Sequence, residues 1–280
     1  MIIRCVYGRR SKVDSAFCLR TFVLFAGEAL SSIKYLVPKP LRSLLRRQRQ
    51  ATERRMLVLD RVTDWSALRR LHPYRADFGG RRGKYIDRFY VEEFLASFQE
   101  SISGRVAEIQ SDEYTRLFGQ GQVEHSDILD LNEKNDNRTI TIDLTQTELA
   151  PESAFDCILC VQTLFIIRDY AAALRSLYKM LKPSGVLLAT MPGISPVVRG
   201  GLIAGEGADW WRFTARSAQH VFSQVFGESN VNVKTYGNVL TATAFLNGLV
   251  QEELTRQELE FNDPDFEVVI GVRATKQVAT

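Results

Sequence analysis

Three acids stand near the ends of short apolar runs: Glu108 in RVAEIQ, Asp127 in VEHSDIL and Asp143 in TITIDL. A fourth run, FDCILCVQTL, closes on Gln162 and Thr163. Acids lining one crevice accept hydrogen bonds from ribose hydroxyls and from an exocyclic amine. They oppose a pyrophosphate, because like charges repel strongly where water is excluded. The loop after Glu108 sharpens this choice. It reads Gln110, Ser111, Asp112, Glu113, with no glycine before Gly119. A dinucleotide places its pyrophosphate on such a loop and on the N-terminus of the next helix. Glu108, Asp112 and Glu113 would face that anion. The charge therefore favours a ligand that is cationic and carries no phosphate. Asp112 has a second reading, as the cap of the short helix EYTRLFG.

Other reactive side chains are less directive. Cys157 and Cys160 form C-x-x-C, but both fall in a strand, where residues three apart point to opposite faces. Buried, inert thiols are expected. His72, His125 and His220 have no metal-ligand spacing, and no metal is expected. Two stretches are candidates to close a site. In GGRRGKYIDRFYVEEF, Arg88 could meet a carboxylate, and Tyr85 or Tyr90 could cover a cation by its ring face. The competing reading makes Phe89, Tyr90 and Phe94 core aromatics. After Pro192 a long glycine-rich segment leads to Trp210, Trp211 and Arg212. Trp211 is either packing or a wall of an acceptor pocket, and Arg212 suits an anionic or sugar acceptor.

These residues need a scaffold that gathers strand ends. From residue 104 onward strands alternate with helices: RVAEI, EYTRLFG, VEHSDIL, TITIDL, FDCILCVQTL, the amphipathic DYAAALRSLYKML, then GVLLATMP. The fourth strand is nearly all apolar, as for a strand buried on both faces. Alternation of this kind predicts a parallel sheet covered by helices, which binds ligands at the carboxyl ends of its strands. A further helix is predicted over residues 85–102, and another after Thr214, which reads as its N-cap.

The chain of 280 residues is 45% hydrophobic and 25% charged, with net charge +3. No nucleic-acid partner is indicated. Charge is uneven, since residues 1–60 carry 13 Lys/Arg against 4 acids. We divide the chain into a basic, partly helical extension over 1–65 and an α/β domain over 66–280. The stretch PLRSLLRRQRQATERR over 40–55 is either a solvated helix or a surface for membrane lipid or an acidic partner. No segment approaches the roughly 18 apolar residues of a membrane span. Neither a signal peptide nor a disulfide framework is read, so a cytoplasmic location is expected.

The order RVAEIQ, SDILD, TITIDL, PESAFDCILCVQTL, LKPSGVLLATMPG resembles the class I S-adenosylmethionine-dependent methyltransferases. FDCILCVQTLFII with its helix and LKPSGVLLATMP is most similar to their small-molecule, type 11-like branch. The resemblance covers about residues 70–280. It implies a Rossmann-like, seven-stranded, mostly parallel sheet of order 3-2-1-4-5-7-6, with NVNVKTYGN and FEVVIGVRAT as strands six and seven. It implies S-adenosylmethionine as cofactor, with Glu108 near the methionyl amine. Asp127, beside Ile128, would hold the ribose, with Asp130 a poorer fit. Asp143 and the Leu144 backbone would face the adenine, and Gln162 the methionyl part. Gln110 and Asp112 would lie in the cofactor loop, and Arg88 and Tyr90 in a lid. A small-molecule or glycan-type acceptor follows, with Trp211 and Arg212 beside it. The family usually shows E-x-G-x-G-x-G in the opening loop, and here Gln110 and Asp112 replace the first two glycines. Two other readings stay open: a methyltransferase-like binding or scaffold module without cofactor affinity, and an NAD-dependent oxidoreductase.

Overall fold

The structure is a computed structural model that describes residues 69–76, 83–198 and 209–278. Hydrophobic patterning makes a three-layer sandwich of them. In chain order the principal elements are α1 (Ile86–Ala96), β1 (Gly104–Ile109), α2 (Glu113–Phe118), β2 (Val123–Asp130), β3 (Ile140–Thr141) and β4 (Phe155–Val161). There follow α3 (Tyr170–Met180), β5 (Leu181–Pro192), α4 (Ala215–Phe226), β6 (Val231–Tyr236), α5 (Val239–Leu246), α6 (Arg256–Glu260) and β7 (Val269–Thr275). The strands form one sheet of order β3-β2-β1-β4-β5-β7-β6. Strands β1 to β5 pair in parallel, and β7 runs antiparallel to both β5 and β6. This is the Rossmann-like order that the family resemblance implied.

The sheet separates two apolar clusters, because alternate residues of each strand face opposite sides. Ala107, Ile158 and Leu187 look toward α3 and α4, where Leu174, Leu177, Phe222 and Phe226 meet them. Val106, Leu159 and Leu188 look the other way, toward Ile86, Phe94 and Leu95 of α1 and Phe245 of α5. Cys157 and Cys160 fall one in each cluster, both fully buried. That is the opposite-face placement their spacing predicts. Helix ends carry side-chain caps. Asp169 accepts from Ala172 N at the start of α3, and Thr214 with Ser217 boxes the start of α4.

Two expectations are corrected. The TITIDL strand shortens to two paired residues, because the chain turns at Asp143, although Ile142 and Leu144 still bury their side chains. The helix expected over 85–102 ends at Ala96, where Ser97 Oγ donates to Phe94 O, and a short 3-10 turn follows at Gln99–Ser101. Helices α5 and α6, between β6 and β7, were not anticipated. The extension over 1–65 lies outside the described residues. Arg70–Thr280 forms one compact unit. Among the described residues no helix is long and apolar enough to cross a membrane.

Candidate active site

The strand order reverses between β1 and β4, and ligands of open α/β sheets bind outside the carboxyl ends at that point. Gln110 follows β1 and Gln162 follows β4. Both adopt the left-handed backbone that L side chains rarely take, with φ 72° at Gln110 and 47° at Gln162. Such strain concentrates at functional sites. Each bend is tied to the neighbouring strand. Gln110 N donates to Leu129 O (2.8 Å), and Gln162 N donates to Thr190 O (3.0 Å). The Gln162 amide Nε2 is buried and has no hydrogen-bond partner. An orphaned buried donor is expensive, and a bound acceptor would satisfy it.

Glu108 is 2% exposed and points into the fold rather than the crevice. Its carboxylate accepts from Thr115 N (2.7 Å), Thr115 Oγ1 (2.8 Å), Tyr114 N (3.2 Å) and Ser111 Oγ (3.3 Å). It therefore caps α2 from the preceding strand. Burial raises its pKa, and these hydrogen bonds offset only part of that rise. Asp112 occupies the N-cap position without a side-chain cap bond and pairs instead with Arg116 (2.9 Å).

The sheet register corrects the placement of Asp127. Ala107 of β1 is level with Asp127, and Ile109 with Leu129, so Asp130 ends β2. Asp127 is 3% exposed. It accepts from Arg105 Nε (2.7 Å) and Thr139 Oγ1 (2.9 Å), with His125 Nε2 3.4 Å away. Burial alone would raise its pKa. Bonds from Arg105 and Thr139, with the nearby charge, outweigh this and lower it. Ile128 is likewise buried inside the strand, level with Glu108, and Leu131 is the exposed residue just past the end.

Asp130 stands at the carboxyl edge. It accepts from Asn132 N (2.9 Å) and Asn135 Nδ2 (2.7 Å), which leaves lone pairs for further donors. Asp143 is half-buried past β3. Its Oδ1 takes both Thr145 N (2.8 Å) and Thr145 Oγ1 (2.7 Å), and Oδ2 takes only a long bond from Gln146 (3.3 Å). Burial opposes its charge, but these bonds prevail and hold its pKa below the ordinary range. Leu144, the next residue, is buried.

The methyltransferase-domain family model matches residues 51–233. The chain belongs to that family. Among solved structures, the SAM-dependent methyltransferase of Archaeoglobus fulgidus is 13% identical, with TM-score 0.44, over 68% of this chain and 94% of its own. That of Mesorhizobium loti is 15% identical, with TM-score 0.43, over 69% of this chain and 98% of its own. Phosphoethanolamine N-methyltransferase 2 of Haemonchus contortus, solved with S-adenosyl-L-methionine, is 12% identical, with TM-score 0.43, over 66% of this chain and 52% of its own. No curated protein matches the sequence.

The flanking stretches of this methyltransferase divide between site and core. Arg88, in the first turn of α1, donates to Tyr114 OH (3.3 Å) beside the β1 loop. Burial works against its charge, but Asp87, Tyr114 and Glu113 outweigh it, so its pKa rises and it stays cationic. Tyr90 is corrected to a core residue, 2% exposed and stacked on Tyr236 at 6.0 Å. Arg212 is also corrected. Asp209 holds it in a close ion pair, and Pro196 O accepts from it (2.8 Å), so its charge is already matched. Trp211 donates through Nε1 to Ile167 O (3.0 Å) and sets its edge against Tyr170 (5.1 Å), leaving part of its ring exposed. Trp210 is half exposed, with Arg168 over its face at 5.3 Å. A groove of about 410 Å³ between α3 and α4 is lined by Tyr170, Leu174, Arg175, Tyr178, Val221 and Val225, and no strand-end residue borders it.

Glu108's role as cap and the left-handed bends escaped the sequence reading. The missing glycines were the available signal, since Gln110 occupies a position where glycine is the usual residue.

Proposed function

We propose that this methyltransferase uses S-adenosylmethionine and methylates a small-molecule or saccharide acceptor in the crevice between β1 and β4. The observation that carries the cofactor assignment is Gln162, whose buried amide donor lacks a partner at the switch point. A methionyl carboxylate is an acceptor of the kind it needs. Asp130 would take the ribose hydroxyls through its remaining lone pairs, and Leu131 rather than Ile128 would flank that contact. Asp143 would take the adenine amine through Oδ2, with the Leu144 backbone beside the ring. Arg88 is a cation within reach of the β1 loop for the carboxylate end. Bound there, S-adenosylmethionine supplies an electrophilic methyl group on a sulfonium.

The chain's own contribution to transfer is orientation and exclusion of water, which by themselves account for much of the rate of a two-reactant step. The acceptor assignment is supported by the parts of the Trp210 and Trp211 rings that stay exposed, because indole rings stack on sugar and other ring faces. Glu108 is not assigned to the cofactor, since its oxygens already serve α2.

Calorimetry and thermal shift with S-adenosylmethionine and S-adenosylhomocysteine test this reading. At 100 times the dissociation constant, either ligand should add about 2.7 kcal/mol of stability. Absence of heat and of any shift at millimolar ligand would sink the cofactor assignment.

A further inference from the structure

The left-handed bend at Gln110 is held from an unexpected side. Asn135, in the loop between β2 and β3, donates through Nδ2 to Gln110 O (2.9 Å) and to Asp130 Oδ2 (2.7 Å). Its Oδ1 accepts from Asn137 N (3.1 Å), so both ends of the amide are engaged and its orientation is defined. Gln110 N donates to Leu129 O (2.8 Å). The bend is thus pinned on its nitrogen by β2 and on its carbonyl by Asn135. Glycine takes this backbone without penalty, whereas a residue with a Cβ resists it. An external bond is the means by which a glutamine can be kept there.

We infer that Asn135 is a positioning residue for the cofactor loop: its amide latches the β1 bend to Asp130 and does for Gln110 what a glycine would do alone. This deepens the proposed cofactor site and rests on it. The latch also couples two parts of the crevice, since one amide group touches both the β1 loop and the acid at the end of β2. Removing the amide frees a lone pair on Asp130, so a competing role, in which Asn135 merely occupies that acid, predicts the opposite sign for ligand affinity.

The test uses the full chain with Asn135→Ala and with Asn135→Ala combined with Gln110→Gly, each checked for an intact melt. Asn135→Ser serves if the alanine variant does not fold. Two readouts are taken: amide hydrogen exchange at residue 110 without ligand, and S-adenosylhomocysteine affinity. Asn135→Ala should speed exchange of the Gln110 amide and weaken affinity, each about fivefold, the effect of one ordinary hydrogen bond. The added Gln110→Gly should return affinity to within about twofold, because glycine needs no latch. Unchanged exchange, unchanged or tighter binding, or a loss that glycine does not recover would overturn the inference, tighter binding by placing the effect on Asp130. If the unaltered chain does not bind the ligand, the cofactor reading fails, and exchange at Gln110 alone judges the latch.

Discussion

Asp127 and Asp130 lie three residues apart on one strand and meet different surroundings. Asp127 is shut in by Arg105 and Thr139, while Asp130 opens on the crevice. Asp130→Ala should weaken S-adenosylhomocysteine binding by about 1–3 kcal/mol, if its oxygens accept ribose hydroxyls. Asp127→Ala should leave that affinity alone and lower folding stability by about 1–3 kcal/mol, because buried donors lose their acceptor. Calorimetry separates the first effect, and denaturant unfolding the second. Asp127 also has a pH signature. Its folded pKa is lowered, so its contribution is complete above the ordinary carboxylate range and is lost as pH falls through the folded value. The stability of an Asp127→Asn variant, followed from neutral pH into acid, should therefore fall less steeply than that of the natural chain.

At the scale of elements, α2 is the informative case. Six residues are too few for a helix to persist on its own. Glu108 supplies acceptors to two of its orphan N–H groups and to the Thr115 hydroxyl. Replacing Glu108 by Ala should cost about 1–3 kcal/mol, the loss of a charged cap with its hydrogen bonds. Glu108→Gln should not restore it, since an amide turns one acceptor into a donor facing N–H groups. Chemical denaturation of both variants checks this, and recovery of full stability by Gln would refute the cap. The same logic runs through α3, where Asp169 does the capping within its own segment. The contrast is instructive: a cap adjacent in sequence is readable, whereas one supplied by a strand five residues upstream is not.

For the whole molecule, the two apolar clusters formed among the described residues draw on residues 86–274. The described residues therefore place a core on both faces of the sheet. Deleting residues 1–65 should leave a cooperative thermal melt, and loss of that melt would show that the basic segment belongs to the core. Cys157 and Cys160 report on the same core. Burial pushes the Cys160 thiol up to about 12, and the Cys157 thiol higher still, so neither forms thiolate near neutral pH. Alkylation followed by peptide mapping should leave both unlabelled in the native protein, with labelling that tracks global unfolding. Rapid native labelling of either would contradict the packing.

The alternation of apolar runs and amphipathic segments was enough, by itself, to determine the parallel sheet and its coverage by helices, because burial on one face or two imposes its own periodicity. The family resemblance added the order of the strands, which the structure bears out. C-x-x-C could likewise be read as two separated thiols, since the strand repeat of two is local. Other features were decided by contacts between distant residues. Which acid reaches the edge depends on the register of β2 against β1, and a difference of three residues reverses the face. Whether Tyr90 covers a ligand or fills the core depends on Tyr236, far along the chain. Glu108 reads as a crevice acid until α2 folds back over it. The bend at Gln110 takes its meaning from Asn135, in a loop that no local pattern joins to it. Periodicity is a property of neighbours in sequence, whereas the partner of a polar side chain is chosen only when the sheet has brought its strands together.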